Sequence, residues 1–348
     1  MNAYALYFTA PRQIQILPVA LPPPGPGEAL IQTLCSAISA GTEMLIYQNR
    51  FPPDLEADST IPKLRRPLAY PLRYGYACVG RILALGPHLP PDWIGQLVFA
   101  FHPHATHFIA PLASLLPVPQ AIPPERACFL ANMETAVTLV HDGAPLLGER
   151  VLVLGQGIVG LLTASLLAGF PLECLVALDR YPRRRAALAE ALSSPSPLRT
   201  HDPAEPDLHR ILLEFTHGGF DLTYELTGNP DALNDAIALT RFSGRIVVGS
   251  WYGQKQASLN LGGAFHRSRV RLIASQVSTI APELSGRWDK ARRLQAAWNA
   301  LHHLHPERWI THRFPFDQAA QAYCLLEEHP HEALQVLLVY DSPDPRKE

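Results

Sequence analysis

Short apolar runs separated by proline and glycine occupy the chain from Met1 to about Pro119. Residues 29–34, 79–83 and 96–100 are examples, and none continues into the 3.6-residue periodicity of a long helix. Runs of this length, bounded by turn-forming residues, are typical of β-strands. The pattern predicts a compact β-rich domain over residues 1–121.

Apolar strands alternate with helical segments from about residue 122 to residue 275. This alternation is typical of βαβ units and predicts a second domain with a doubly wound parallel sheet. Beyond it lie an amphipathic segment at 287–304 and a final strand at 333–340. We expect residues 276–348 to complete the first domain, so the predicted fold class is α/β.

A glycine-rich turn follows the predicted strand at residues 150–154. It reads Gly155-Gln156-Gly157-Ile158-Val159-Gly160 and leads into a helix. Strand, glycine turn and helix occur in the order of a dinucleotide-binding crossover. The first glycine permits the turn, the second lets backbone approach a pyrophosphate, and the third lets helix and strand pack closely. Amides at the helix N-terminus bind the phosphate charge, so all six residues are predicted cofactor contacts.

The next strand ends at Asp179, where an acid is expected to bind the adenosine ribose hydroxyls. This residue predicts NAD. Arg180 and the arginines at 183–185 follow at once, and NADP stays the alternative because an arginine can pair with a 2'-phosphate. Beyond later strands, Thr227, Gly228 and Ser250 are predicted to contact the cofactor as well.

Length and charge narrow the class of partner. A chain of 348 residues exceeds the usual size of one core, and a net charge of −2 gives no basic footprint for nucleic acid or an anionic membrane. We therefore expect a small-molecule substrate. The five scattered cysteines and the absence of a signal-like N-terminus predict free thiols in the cytoplasm. The apolar stretch 161–178 is interrupted by glycine and proline, which favours a buried helix and strand over a membrane span.

The chain resembles the medium-chain dehydrogenase/reductase superfamily over nearly its full length. The resemblance rests on Ser39-Ala-Gly-Thr-Glu43, Tyr74-Gly-Tyr-Ala77, the glycine turn, Tyr224-Glu-Leu-Thr-Gly228 and Ile310-Thr-His-Arg-Phe314. It implies a Rossmann domain inserted into a GroES-like substrate domain, catalysis in the cleft between them, and a homodimer through the edge of the Rossmann sheet. Within the superfamily the first two motifs look most like the bacteriochlorophyllide dehydrogenase branch.

The zinc ligands of that superfamily are missing from this chain. Zinc members place a cysteine where this sequence has Ala40, and a His-Glu pair where it has Tyr76-Ala77. Alanine has no donor atom and tyrosine is an unusual zinc ligand. The closely spaced cysteines of the structural zinc lobe are absent too. We expect neither a catalytic nor a structural zinc ion.

Without a metal ion, hydride transfer requires hydrogen-bond donors and a proton at the reacting oxygen. Tyr76 is the predicted donor or general acid, Thr42 its partner, and Glu43 an orienting residue or proton relay. The alternative reading of Tyr76 is a packed aromatic side chain. For Glu134 we weigh a proton relay against a structural anchor, and for Arg65 and Arg66 a clamp on an anionic substrate group against solvated surface side chains.

His102, His104 and His107 are the remaining candidates for a metal site, because the first two can share one face of a strand. The simpler interpretation is a set of hydrogen-bonded histidines. The predicted reaction is the interconversion of a secondary alcohol and a ketone with NAD or NADP. The alternatives are reduction of a conjugated C=C bond and a non-catalytic sensor that binds the dinucleotide.

Overall fold

The computed structural model describes residues 2–52, 67–191 and 198–340. The chain folds as two compact units, the first formed by Met1–Ala131 and Leu301–Glu348 and the second by Asn132–Ala300. These division points lie later in the chain than the predicted boundaries at 121 and 275. In chain order the second unit is therefore an insertion within the first.

The strands and helices follow one another in a simple order. Up to the first division point they are β1 (Asn2–Ala10), β2 (Gln13–Ala20), β3 (Glu28–Ile38), α1 (Ala40–Tyr47), β4 (Cys78–Leu85), β5 (Leu97–Ala100), β6 (His107–Pro111), β7 (Leu116–Pro117) and α2 (Pro124–Ala127). Then come α3 (Leu130–Gly143), β8 (Arg150–Leu154), α4 (Ile158–Leu167), β9 (Cys174–Leu178), α5 (Pro182–Ala191), β10 (Leu198–His201), α6 (Leu208–Phe215), β11 (Phe220–Glu225), α7 (Ala232–Leu239), β12 (Thr240–Val248) and β13 (Arg271–Ala274). The last elements are α8 (Lys290–Leu304), β14 (Ile310–Pro315), α9 (Ala319–Glu328) and β15 (Gln335–Val339).

The first unit is built on a largely antiparallel sheet. Its strands are ordered β14-β15-β3-β4-β5-β7, with β6 also paired to β3, while β1 and β2 form a separate antiparallel pair. Burial alternates along β3 because successive side chains of a strand point to opposite faces. On one face Ile31, Ile82, Val98 and Phe108 join a common core. The predicted β-rich character of this region is confirmed.

The second unit contains a six-stranded parallel sheet in the order β10-β9-β8-β11-β12-β13. The order reverses between β8 and β11, which is the doubly wound arrangement that places a ligand site at the carboxyl ends of these two strands. All five residues of β9 are buried, which explains why the strand reads as a continuous apolar run. The predicted α/β fold class with a Rossmann-type sheet is confirmed.

The apolar stretch 161–178 forms most of α4, a turn and β9. Among the described residues, no helix combines the length and the apolar character needed to cross a bilayer.

The hydroxyl of Tyr224 in β11 is buried and has no hydrogen-bond partner among the described residues. Removing an unpaired buried hydroxyl relieves its desolvation cost, so Tyr224→Phe is expected to stabilise the protein by about 1 kcal/mol. Neighbouring Thr223 is the matched control, because its buried hydroxyl lies 2.8 Å from that of Thr240. Thr223→Val is expected to lower stability by a similar amount, about 1 kcal/mol. Thermal unfolding midpoints measure both changes, and a lower midpoint for Tyr224→Phe contradicts this assignment.

Candidate active site and cofactor site

Helix α1 begins directly after β3, and Glu43 fixes its first turn. The backbone N–H of Ser39, which precedes the helix, donates to Oε1 of Glu43 at 2.8 Å. This contact satisfies a backbone donor at the start of the helix. The Glu43 side chain has no solvent exposure. Glu43, which was predicted as an orienting residue or proton relay, is thus buried in the first unit.

The second carboxylate oxygen of Glu43 is also paired. His104 Nε2 lies 3.0 Å from Oε2, and the Tyr323 hydroxyl donates to the same oxygen. Burial, followed by the charge of Glu43, raises the pKa of Tyr323 well above its ordinary value, so its hydroxyl keeps the proton that it donates. A buried charge is tolerated only when it is paired in this way.

His104 extends this network to the backbone that precedes Tyr76. Its Nδ1 lies 2.7 Å from Ser36 Oγ, which lies 2.8 Å from the Tyr340 hydroxyl. Gly75 has a φ of +106°, and a Cβ added there would lie 2.6 Å from the His104 ring. Only glycine accommodates both the conformation and the close ring. The His104 ring therefore packs against the turn at Gly75, which directly precedes Tyr76.

Tyr76 is half-buried, and its hydroxyl meets two others. It donates to Ser39 Oγ at 2.5 Å and lies 3.3 Å from Thr42 Oγ1. The predicted donor and its predicted partner are thus brought together by the fold. Ser39 completes the group, although the sequence analysis did not single it out. Among the described residues, Glu43 contacts the backbone of Ser39 and two buried rings, so Ser39 links it to Tyr76.

The residues around Tyr76 do not fit a catalytic zinc ion. Ala40 opens α1 and has no ligand atom, while the Tyr76 hydroxyl is engaged with other hydroxyls. Within the described ranges, one group of three His, Cys, Asp or Glu side chains has its ligand atoms within 4.8 Å of one another, and it contains none of these residues. The donor set at Tyr76 is suited to hydrogen bonding rather than to metal coordination.

The three candidate histidines His102, His104 and His107 contact different partners. His102 stacks on Phe108 with ring centroids 3.9 Å apart, and its Nδ1 lies 2.7 Å from the Pro103 carbonyl. His107 Nδ1 lies 3.3 Å from Thr106 Oγ1, and burial lowers its pKa. His104 lies between Ser36 and Glu43 as described above. The structure therefore gives these histidines hydrogen-bonding and packing contacts rather than a shared ligand geometry.

Glu134 in α3 forms a buried ion pair with Arg293, whose Nη2 lies 2.8 Å from Oε1. The same guanidinium donates to the carbonyls of Val277 and Thr279 at 2.5 Å and 2.9 Å. Glu134 therefore anchors α3 to α8 and the preceding loop within the second unit. The Arg65 and Arg66 clamp considered from the sequence lies outside the described residues.

In the second unit, the glycine turn joins β8 to α4 at the point where the strand order reverses. Gly155 has a φ of +90°, and a Cβ there would lie 2.7 Å from the Leu226 carbonyl. A Cβ on Gly160 would lie 2.0 Å from the Gly155 oxygen. These two glycines are required by the protein's own packing, as the motif predicts.

Gly157 differs, because space lies in front of it. A Cβ there would meet only Arg184 Nη1, at 4.0 Å. Ile158 and Val159 form the first turn of α4, so backbone amides of a helix N-terminus surround this space. Gln156 is fully buried, and its Oε1 has no hydrogen-bond partner in the described part of the chain. An open cradle lined by backbone amide donors fits a dinucleotide pyrophosphate, whose oxygens accept hydrogen bonds.

Asp179 ends β9 beside this turn and is buried. Its Oδ2 accepts the Gln156 N–H at 2.7 Å, and its Oδ1 accepts the Tyr181 N–H at 2.8 Å. Arg184 Nη1 lies 3.8 Å from Oδ2. The exposed Arg180 packs over the Tyr181 ring instead, 4.7 Å from its centroid. Each carboxylate oxygen keeps a lone pair for a further donor.

The remaining predicted cofactor residues form one braced turn after β11. The Gly228 N–H donates to Ser250 Oγ at 2.9 Å, and the Thr227 hydroxyl donates to Oε1 of the buried Glu225. Oε2 of Glu225 accepts from the Tyr252 hydroxyl at 2.5 Å. Thr227 and Ser250 are thus occupied in shaping the turn, which leaves its backbone as the surface available to a ligand.

The sequence analysis missed Ser39, Tyr323 and Glu225. Ser39 and Glu225 left a signal, because each is a polar residue at or directly after the end of a strand and lies within a quoted motif. Tyr323 left none, since a contact across 280 positions has no local pattern.

Comparisons with known proteins agree with this fold. No family model matches the chain. The chain is 24% identical to the uncharacterised zinc-type alcohol dehydrogenase-like protein YphC of Escherichia coli K12, over 92% of this chain and 95% of that protein. It is 26% identical to an L-threonine 3-dehydrogenase of Stenotrophomonas maltophilia K279a, over 69% and 74%. The alcohol dehydrogenase rspB of E. coli CFT073, solved with NADH, superimposes with a TM-score of 0.76 at 18% identity, covering 97% and 99%.

These relatives and structural neighbours support the predicted resemblance to the medium-chain dehydrogenase/reductase superfamily. The relatives are named as dehydrogenases, and the structural neighbours include one solved with NADH and one solved with NADP. The narrower resemblance to the bacteriochlorophyllide dehydrogenase branch stays a prediction, because the comparisons do not confirm it.

Gly157→Ala tests the cofactor cradle without disturbing the fold. The φ of Gly157 is −64°, and the added methyl group meets no protein atom closer than 4.0 Å, so the melting temperature is expected to stay unchanged. The methyl group would crowd a bound pyrophosphate, and overpacking of about 1–3 kcal/mol corresponds to NADH binding roughly ten- to a hundredfold weaker.

Gly160→Ala is the matched control, because its methyl group strikes the Gly155 carbonyl and should lower the melting temperature. Nicotinamide fluorescence titration and thermal unfolding read the two effects separately. Wild-type NADH affinity in Gly157→Ala would contradict the proposed cradle.

Proposed function

We propose that this oxidoreductase interconverts a secondary alcohol and a ketone without a catalytic metal ion, with NAD as its preferred cofactor. We base the proposal on the cluster of three hydroxyls of Tyr76, Ser39 and Thr42. Tyr76 is half-buried, and its hydroxyl donates to Ser39 Oγ at 2.5 Å. By the family resemblance, Tyr76 stands at the sequence position where zinc members of the superfamily have a metal ligand.

A bound nicotinamide supplies the hydride in the reductive direction and accepts it in the oxidative one. As hydride reaches the carbonyl carbon, the C=O π electrons move to oxygen, and Tyr76 donates its proton to that oxygen to give the alcohol. The phenolate left on Tyr76 is reprotonated by solvent through the hydroxyls of Ser39 and Thr42. The reverse sequence oxidises the alcohol.

The role proposed for Glu43 is positional. Its carboxylate holds the backbone N–H of Ser39 at 2.8 Å, which fixes the acceptor of the Tyr76 hydroxyl at the start of α1. A direct proton relay would require contact with the reacting group, and the contacts of Glu43 are all buried. Of the two roles predicted from the sequence, the proposal adopts the orienting role rather than the proton relay.

The preference for NAD rests on Asp179. Two backbone N–H groups hold its carboxylate at the end of β9, where an acid binds ribose hydroxyls and repels a 2'-phosphate. Arg184 at 3.8 Å keeps NADP as the alternative, since a guanidinium pairs well with a phosphate.

We also propose a homodimer formed through the exposed edge of the parallel sheet. Strand β13 ends that sheet, and its Leu272 is exposed. An unpaired edge with an apolar side chain is a template for a second copy. Sedimentation equilibrium is expected to show a dimer for the wild type and a shift to monomer for Leu272→Lys. A monomeric wild type would contradict the proposal.

Tyr76→Phe is the direct test of the proposed chemistry. Loss of the proton donor is expected to lower kcat about a hundredfold or more, since general acid catalysis contributes roughly 10²–10⁴, while NADH binding stays unchanged. Turnover would be measured with NADH against a panel of ketones and conjugated enones.

Tyr4→Phe is the matched control, because Tyr4 is an exposed tyrosine of the same unit. An unchanged kcat in Tyr76→Phe would remove the tyrosine from the mechanism. Turnover of enones alone would favour C=C reduction, and cofactor binding without any turnover would favour the sensor.

Asp179→Asn tests cofactor choice. Replacing the charged acceptor is expected to weaken NADH binding by about tenfold, the value of one charge-assisted hydrogen bond, and to weaken NADPH binding less or not at all. Asp202→Asn is the control, because Asp202 also binds backbone and an arginine nearby. Separate titrations with both cofactors measure the ratio, and a wild-type preference for NADPH would contradict the assignment to NAD.

A further inference from the structure

Two histidines and a glutamate converge on the turn that joins α9 to β15. The segment reads His329-Pro330-His331-Glu332, and all three polar side chains are exposed. The His329 N–H donates to the Leu325 carbonyl at 2.8 Å, and the Glu332 N–H donates to the His329 carbonyl at 3.0 Å. Pro330 occupies the second position of this turn, where its fixed φ is favourable. These backbone hydrogen bonds close the turn and bring the side chains of His329 and Glu332 close to each other.

The spacing of the three side chains is regular. Glu332 Oε1 lies 3.6 Å from His329 Nδ1 and 3.5 Å from His331 Nε2. The three ligand atoms all lie within 4.8 Å of one another. The two shorter distances exceed those of good N–H···O hydrogen bonds. Ligand atoms about 2.0–2.1 Å from a tetrahedral zinc ion are themselves separated by roughly 3.3 Å, so the gap fits an ion.

The donor chemistry selects the class of ion. Two imidazole nitrogens and one carboxylate oxygen suit Zn²⁺, Co²⁺, Ni²⁺ or Cu²⁺, whereas Mg²⁺ and Ca²⁺ prefer oxygen ligands. The turn follows the C-terminal end of α9, where the partial negative charge of the helix favours a cation. Exposure leaves the fourth position open to water.

We propose that His329, His331 and Glu332 form a binding site for one divalent transition-metal ion of the zinc class. The proposed reaction uses none of these three side chains, so the two proposals stand independently. Zinc bound at this site would lie on the turn between α9 and β15 and not at Tyr76.

The test uses full-length protein without an affinity tag, stripped of metal by chelation. Co²⁺ is titrated while its visible absorption is followed, and Zn²⁺ is titrated by calorimetry. One equivalent is expected to bind to the wild type near pH 7.5. Binding is expected to weaken as the pH is lowered, because protons compete with the metal ion for the imidazole nitrogens.

Variants locate the ion. His331→Ala and Glu332→Gln are expected to weaken binding at least about tenfold, since even outer partners of metal ligands change affinity about 10- to 100-fold. His209→Ala is the matched control, because His209 is an exposed histidine paired with Asp235 at 3.1 Å and belongs to no such group of three among the described residues. Absence of binding by the wild type, or equal binding by His331→Ala, would overturn the proposal.

Discussion

A buried carboxylate, that of Glu43, is the constraint on which the first unit depends. A charge without solvent contact must be met by donors, and here they come from Ser39 at the start of α1, from His104 and from Tyr323 in α9. These three residues belong to segments far apart in sequence. Satisfying one side chain therefore fixes the start of a helix, the seat of the Gly75 turn and the position of α9. The positions of the three hydroxyls of Tyr76, Ser39 and Thr42 depend on these contacts of Glu43.

The second unit uses a buried acid for a comparable purpose. Glu225 at the end of β11 accepts from Thr227 and from Tyr252, and so holds the turn that follows the strand. Asp179 does the same for the glycine turn through the Gln156 N–H. In each case the carboxylate binds backbone or hydroxyl groups near the carboxyl end of a parallel strand, where a doubly wound sheet binds its ligand. The shape of the cofactor site thus rests on side chains, while its backbone is left to meet the dinucleotide.

Much of the fold was predictable because its causes are local. Glycines at 155 and 160 are dictated by close packing within one crossover, and the apolar runs of the parallel strands follow from burial on both faces. The meeting of Tyr76 with Thr42 was predictable only through the family resemblance. The partners of Glu43 were not, because no spacing links residues 43, 104 and 323. The first division point also fell later than predicted, since the break lies within α3 and leaves no change of composition to read.

We propose that a tyrosine hydroxyl, rather than a metal ion, activates the reacting oxygen. The most direct measurement is kcat as a function of zinc content, obtained by chelating the protein to graded extents and quantifying zinc by mass spectrometry on the assayed samples. We expect kcat per chain to stay constant as the zinc content falls far below one equivalent. A kcat that declines in proportion to zinc, and returns when zinc is restored, would contradict it.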